Sequence, residues 1–313
     1  MFYPLSFAPI YKEMIWGSNR MAMILNRVLP FVHTGESWDV SCRVDAMSII
    51  ENGAFTGMSF SEYIAHNRVG VLGTKVAKQD KFPLLVKIID ASNALSVQVH
   101  PGDKYAAAIG SADGGKSEMW YIITPPDDGY LIAGLRSGIT RDNLRRAYEM
   151  GTVMDCLHRL PVVAGDMVNI PAGLIHALTP GALVAEVQQN SDITYRLYDY
   201  NRMGLDDRPR TLHVKDALQV ADFKGIIPKE VSHTNVINNH HFTVMKLTLY
   251  DDVLPEVTDP NTFTILTCVS GCARITTPTA VVPLPMGRSA FIPAMMGSYS
   301  LHGPAIILKI FVP

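Results

Sequence analysis

The amino-acid sequence predicts a mainly β chain, arranged as a duplicated β-barrel with a few short helices. Three observations carry that expectation. Short apolar segments rich in β-branched residues recur along the chain, each bounded by Gly, Pro, Asn or Asp, the pattern of a sandwich or barrel. One of them alternates strictly. Leu95, Val97 and Val99 share one face of a strand, and Ser96, Gln98 and His100 share the other, because strand side chains point to opposite faces with period two. Finally, Gly165 and Pro171 enclose five residues whose apolar pattern returns between Gly287 and Pro293.

Taken in order, strands are expected over residues 84–90, 94–100, 119–124, 130–135, 166–171, 183–188, 242–249, 263–269 and 305–312. A short helix is expected over 59–67. A stronger one spans 140–150, where Thr140 caps, Leu144, Ala147 and Tyr148 form an apolar stripe, and Gly151 ends the run. A further short helix is expected over 153–159, so a helical insertion near 140–160 interrupts the strands. Each Gly-x5-Pro reads as a turn entering a strand that ends at proline. Five residues after Pro171 stands His176, and five after Pro293 stands Ser298. The expected organisation is an N-terminal barrel over 1–235 that carries the chemistry. A degenerate barrel over 236–313, which has lost the histidine, follows the polar join 228–239.

Composition narrows the function classes. A chain of 313 residues makes two domains the natural expectation, and 48% hydrophobic residues supply a large core. A net charge of -2 with 18% charged residues leaves no field that would recruit nucleic acid. An anionic ligand therefore needs a local basic cluster. Cys42, Cys156, Cys268 and Cys272 form no CxxC pair and read as reduced thiols of a cytoplasmic protein. The N-terminus lacks a basic region followed by an apolar core, and no apolar run reaches the roughly 18 residues that span a bilayer.

The polar face of the 94–100 strand holds the most informative groups. Gln98 and His100 set an amide oxygen and an imidazole two residues apart, a good geometry for two ligands on one ion. Glu118 and His176 follow in contexts that also read as strands or strand ends. Two imidazoles, a carboxylate and an amide oxygen suit zinc and leave a coordination position for water or substrate.

These residues also carry a resemblance. Gly165 through His176 matches the second cupin motif, Gly-x5-Pro-x-Gly-x2-His, with Pro180 where that motif usually closes on asparagine. Gln98-Val99-His100 stands in the place of the first motif's His-x-His. Further runs are Ser-Val-Gln-Val-His-Pro-Gly-Asp-Lys-Tyr-Ala (96–106) and Gly-Gly-Lys-Ser-Glu-Met-Trp-Tyr (114–121). With Trp16-Gly17, Gly35-Glu36-Ser37-Trp38, Leu85-Val86-Lys87 and Ser191-Asp192-Ile193-Thr194-Tyr195-Arg196, they closely resemble the type I mannose-6-phosphate isomerases. The match spans about residues 15–200, and the length is that of the short bacterial form. Ser18 departs from it, since the family commonly has a second glycine there.

The resemblance implies two cupin-type (jelly-roll) barrels and one Zn2+ per chain, held by Gln98, His100, Glu118 and His176. It puts the catalytic arginine at Arg196, active-site lysines at Lys87 and Lys116, the strand serine at Ser96, and an acidic residue at Glu186. It implies a cytoplasmic enzyme, monomer or homodimer, that interconverts mannose 6-phosphate and fructose 6-phosphate. Its partner is a small sugar phosphate, with neither nucleic acid nor membrane involved.

That reaction moves a proton between adjacent carbons through an enediolate, whose negative oxygen a divalent ion stabilises as a Lewis acid. Arg196 adds a permanent positive charge, and Arg196, Lys87, Lys116 and Ser96 are the groups available to a phosphate. Glu186 and a water on the metal are both candidates for the base. Two other readings stay open: another cupin sugar-phosphate isomerase, such as the glucose-6-phosphate type, and a sugar-binding cupin without catalysis.

Overall fold

Alternating strands gather the chain into two compact units in the computed structural model, which describes residues 2–224 and 235–313. One unit joins Tyr11–Glu36 to Ile89–Thr234. The other gathers Met1–Ile10, Ser37–Ile88 and Asn235–Pro313. A boundary thus falls at Asn235, while within 1–235 the segments 1–10 and 37–88 group with the C-terminal strands. Residues 228–234 of the expected join lie outside the described residues.

In the first unit two antiparallel sheets enclose a core. One has the order Leu157–Pro161, Tyr130–Leu135, His176–Ala177, Val97–Val99, Tyr195–Tyr198. The other contains Met167–Ile170, Glu118–Thr124 and Ala182–Gln189 in that order. The period-two rule sorts their side chains. Leu131, Ala133, Trp120, Ile122, Val168 and Val184 fill the space between the sheets. Val97, Val99, Ala177 and Leu197 point outward and pack with Leu144, Ala147, Ala217 and Leu218 of the helices Arg141–Glu149 and Val214–Val220.

The helices expected over 59–67 and 140–150 form where expected. Ser59 and Glu62 make a capping box at Phe60–His66, and Thr140 with Asn143 makes one at Arg141–Glu149. The expected helix over 153–159 is corrected. A single 3-10 turn, Val153–Cys156, gives way to the strand Leu157–Pro161, which pairs with Tyr130–Leu135. Long-range pairing outweighs local preference there. The glycines of the Trp16-Gly17 and Gly35-Glu36 runs mark a close backbone approach, since a Cβ on Gly17 would lie 2.4 Å from the Gly35 nitrogen. Ser18, the departure from the family, donates its hydroxyl to the buried Asp90 Oδ2 at 2.7 Å.

The second unit repeats the plan. Its long strand Thr264–Thr276 pairs with Ser289–Ile292 and Ala305–Phe311, is irregular between Cys268 and Ser270, and then pairs with Val281–Pro285 and Ser298–His302. Leu266, Ile292, Leu301 and Ile307 fill its interior. Two registers show the duplication. Ile170 pairs with Glu118 one residue before Pro171, as Ile292 pairs with Thr264 one residue before Pro293. The Gly165 N–H donates to Ile122 at 2.8 Å, and the Gly287 N–H to Cys268 at 2.7 Å.

One expected correspondence shifts by a residue. Ser298 is exposed, and Tyr299 is the inward-facing residue, paired with Glu256 as His176 is paired with Gln98. The cause is loop length. Pro171 is followed by glycine after one residue, Pro293 after three, and the extra length moves the inward position.

Candidate active site

The first barrel collects its polar groups at one end of the interior. Gln98 projects from the Val97–Val99 strand, with His100 just beyond it. Glu118 starts the strand Glu118–Thr124, and His176 starts His176–Ala177. Register places His176, Gln98 and Arg196 side by side across three strands, because Gln98 is paired with His176 on one side and with Arg196 on the other. Directly paired residues share a face. His176, Gln98 and Arg196 therefore share one face, while Glu118 reaches His100 and His176 from the other sheet.

The geometry at the centre is close. Glu118 Oε2 lies 3.4 Å from His100 Nε2, and Oε1 lies 3.2 Å from His176 Nε2. The ligand atoms of His100, Glu118 and His176 all lie within 4.8 Å of one another, on side chains that are fully buried. His100 Nδ1 sits 2.8 Å from the Ile193 carbonyl, and His176 Nδ1 sits 2.8 Å from the Leu174 carbonyl. A carbonyl only accepts, so each Nδ1 carries the proton and each Nε2 keeps its lone pair for the centre.

Electrostatics match. Burial, then the Lys116 charge, pushes the His100 imidazole down to about 3, with Glu118 opposing. Burial likewise lowers His176. Burial opposes ionisation of Glu118, yet Lys116 and the two imidazoles outweigh it and hold that carboxyl well below its usual range. The result is two neutral imidazoles and a carboxylate. His100 Nε2 and both Glu118 oxygens lack a hydrogen-bond partner. Buried lone pairs with so few donors are costly, and a shared divalent cation would satisfy them together. The donor set fits zinc. Gln98 turns its amide nitrogen toward His176 Nε2 at 3.3 Å and accepts from the Ser96 hydroxyl at 3.4 Å. A half-turn of that amide presents its oxygen instead.

The remaining expected residues divide between the two units. Lys116 is buried, with Nζ 3.3 Å from Glu118 Oε2. Ser96 is buried behind Gln98. Glu186 is buried on the inner face opposite Trp120, whose indole N–H donates to Glu186 Oε2 at 2.9 Å while its ring meets His176 edge-on at 5.4 Å. Lys87 belongs to the other unit, buried with its ammonium 4.8 Å from the Trp38 ring centroid. Arg196 is half-buried, and its guanidinium makes no hydrogen bond or ion pair among the described residues. Its backbone is fixed by His213, which donates to the Arg196 carbonyl at 2.7 Å. Burial and the charge of Arg210 lower its pKa, against Asp199 and Asp192.

Sequence reasoning missed Trp120, which orients Glu186, and the group Asp199, Arg202 and Arg210 beside Arg196. Only the three-residue spacing of Asp199 and Arg202 was a signal for the latter.

In the second barrel the matching registers hold Glu256, Thr264, Tyr299 and Lys309 in place of Gln98, Glu118, His176 and Glu186. Lys309 Nζ lies 2.5 Å from Glu256 Oε2. An ammonium supplies the cation there, and the ligand set is gone.

Comparison with known proteins agrees with this geometry. Residues 5–125 match the model of the phosphomannose isomerase type I catalytic domain, and residues 232–312 match the mannose-6-phosphate isomerase cupin domain. The chain is 34% identical over 313 residues to mannose-6-phosphate isomerase ManA of Bacillus subtilis, covering 96% of each. It is 31% identical to the mannose-6-phosphate isomerase of Streptococcus mutans, covering 97% of each. The crystal structure of the mannose 6-phosphate isomerase from Bacillus subtilis superposes with a TM-score of 0.89 at 29% identity, covering 98% of this chain and 99% of that one. Barrel plan, ligand cluster and near full-length similarity converge, and the chain belongs to the type I mannose-6-phosphate isomerase family.

Proposed function

We propose that the protein interconverts mannose 6-phosphate and fructose 6-phosphate by proton transfer between C1 and C2, with one zinc ion held by Gln98, His100, Glu118 and His176. The observation that carries this reading is the convergence of the buried ligand atoms of His100, Glu118 and His176 within 4.8 Å of one another, one strand away from a guanidinium without an ion pair among the described residues. When bound, the ion supplies Lewis acidity to the sugar's carbonyl and hydroxyl oxygens.

The chain's own residues do the rest. Arg196 carries a guanidinium that no protein carboxylate contacts as an ion pair among the described residues, available to the oxygen that becomes negative in the enediolate. Lys116 offers a second cation, tethered to Glu118. Ser96 steadies the Gln98 amide and, with Lys116 and Arg196, offers donors to the sugar phosphate. The assignment of Lys87 rests on the resemblance. Glu186 is our candidate base. The Trp120 N–H holds its carboxyl in place, and its burial keeps water from competing for the proton. The four cysteines are free thiols, as a reducing cytoplasm requires, and no helix among the described residues is long and apolar enough to cross a membrane.

Coupled kinetics with mannose 6-phosphate, glucose 6-phosphate and free mannose, with oxygen uptake as a control, test the reading. Turnover of mannose 6-phosphate alone supports it. A preference for glucose 6-phosphate, or tight binding with no interconversion, overturns it.

A further inference from the structure

Asp199 is the carboxylate that Arg196 would be expected to pair with. It lies three residues along the chain and is buried, 4% exposed. It is already fully engaged. Arg202 donates to its Oδ1 from Nε at 3.0 Å and from Nη2 at 2.8 Å. Arg210 forks across both oxygens, Nε to Oδ2 at 2.7 Å and Nη2 to Oδ1 at 2.5 Å. Each guanidinium is braced on its other side by an aromatic ring, Arg210 by Trp16 at 5.0 Å and Arg202 by Tyr200 at 5.4 Å. Tyr200 and Asn201 adopt φ of 58° and 53°, in the left-handed region that non-glycine residues seldom occupy. That turn folds the chain back at once and delivers Arg202 to Asp199.

The consequence is felt at Arg196. Its guanidinium has a buried Nε without a partner, and Arg210 repels it. An unpaired, half-buried cation is unfavourable and is kept so where its buried carboxylate neighbour is held elsewhere; the other nearby carboxylate, Asp192, is exposed to solvent. We propose that Arg202 and Arg210 are positioning residues that sequester Asp199, so that the Arg196 charge is kept for an anionic oxygen of the substrate. Two guanidiniums share one buried carboxylate, and the third, Arg196, is left outside the clamp. The proposal rests on the reading of Arg196 given above. It adds that the free state of Arg196 is built, and names the residues that build it.

The test is a double-mutant comparison on the zinc-loaded enzyme. In Arg210→Gln, half of the clamp is lost and Asp199 is free to turn toward Arg196. The expected result is a fall in kcat of about tenfold, the effect of one charge-assisted hydrogen bond formed in the wrong place, with a smaller change in KM. Adding Asp199→Asn to that variant removes the competitor, and kcat should recover most of the loss. Arg210→Lys, which keeps the charge, should fall between wild type and Arg210→Gln. A purely structural salt bridge predicts the opposite order, with the double variant no better than Arg210→Gln. That order, or wild-type kcat in Arg210→Gln, overturns the proposal. If Arg210→Gln does not fold, Arg202→Gln with and without Asp199→Asn makes the same comparison, because the Arg210 fork then remains. Full activity in Arg196→Ala would instead overturn the underlying reading, so the two failures are distinguishable.

Discussion

Replacing Arg196 with alanine separates function from stability more cleanly than any other single change in this fold. The guanidinium makes no hydrogen bond or ion pair among the described residues, so its removal breaks no bond. What is lost is the packing of the aliphatic stem, about 1 kcal/mol. Against this stands relief of a half-buried charge that burial and Arg210 both oppose. These terms are similar in size, and the unfolding midpoint is expected to stay within about 2–4 °C of wild type. Activity behaves differently. A charge aimed at a developing oxyanion contributes about 2.7–4 kcal/mol to the barrier, so kcat should fall by about 10²–10³. The assay is coupled turnover of mannose 6-phosphate, with thermal unfolding and metal content measured on the same preparation. Retention of kcat within threefold would refute the reasoning, and so would loss of metal alongside activity, since Arg196 is a neighbour of Gln98 and not a ligand.

Other outcomes follow from neighbouring contacts. Trp120→Phe removes the indole donor from the buried Glu186, which should cost about 2–4 kcal/mol in denaturant unfolding and move the acid limb of kcat/KM to higher pH if Glu186 is the base. An unmoved limb would exclude Glu186. Lys309→Met leaves Glu256 without its cation in a mostly buried pair, a loss of about 1–3 kcal/mol after allowance for partial exposure. Adding Glu256→Gln should restore part of it. In the metal-free protein the imidazole pKa of His100 is lowered to about 3, and that of His176 is also lowered. The unfolded chain therefore binds protons that the folded chain does not. Stability should fall as pH drops from about 6.5 toward about 3, by at most about 1.4 kcal/mol per pH unit for each imidazole. Urea unfolding of chelator-treated protein at pH 7, 6 and 5 measures this, and a flat profile would contradict buried neutral histidines.

The strand pattern was legible because each barrel strand must bury one face, and burial writes a period of two into the chain. The alternation of residues 95–100 placed Val97 and Val99 together on a core face opposite Gln98, as the structure does, but Leu95, outside the Val97–Val99 strand, packs in the other core cluster instead of beside them. The cap at Thr140 was legible because a cap is set by its own next few residues. What was not legible depends on distant partners. Residues 157–161 become a strand because Tyr130–Leu135 offers an edge. Tyr299, not Ser298, turns inward because a loop is longer. The segments 1–10 and 37–88 group with strands some two hundred residues away. At the site, residue types at strand spacing pointed to His100, Glu118 and His176, which the fold gathers into one cluster, but the sequestration of Asp199 depends on Arg210 folding back eleven residues, which no local pattern encodes.

Metal content and turnover measured together bear most directly on the central claim. The purified protein should hold close to one zinc per chain, lose mannose 6-phosphate turnover on chelation and regain it on zinc addition. Glu118→Gln and His176→Ala should bind almost none and stay inactive. Full turnover by a metal-free chain, or undiminished zinc in both variants, would contradict the account.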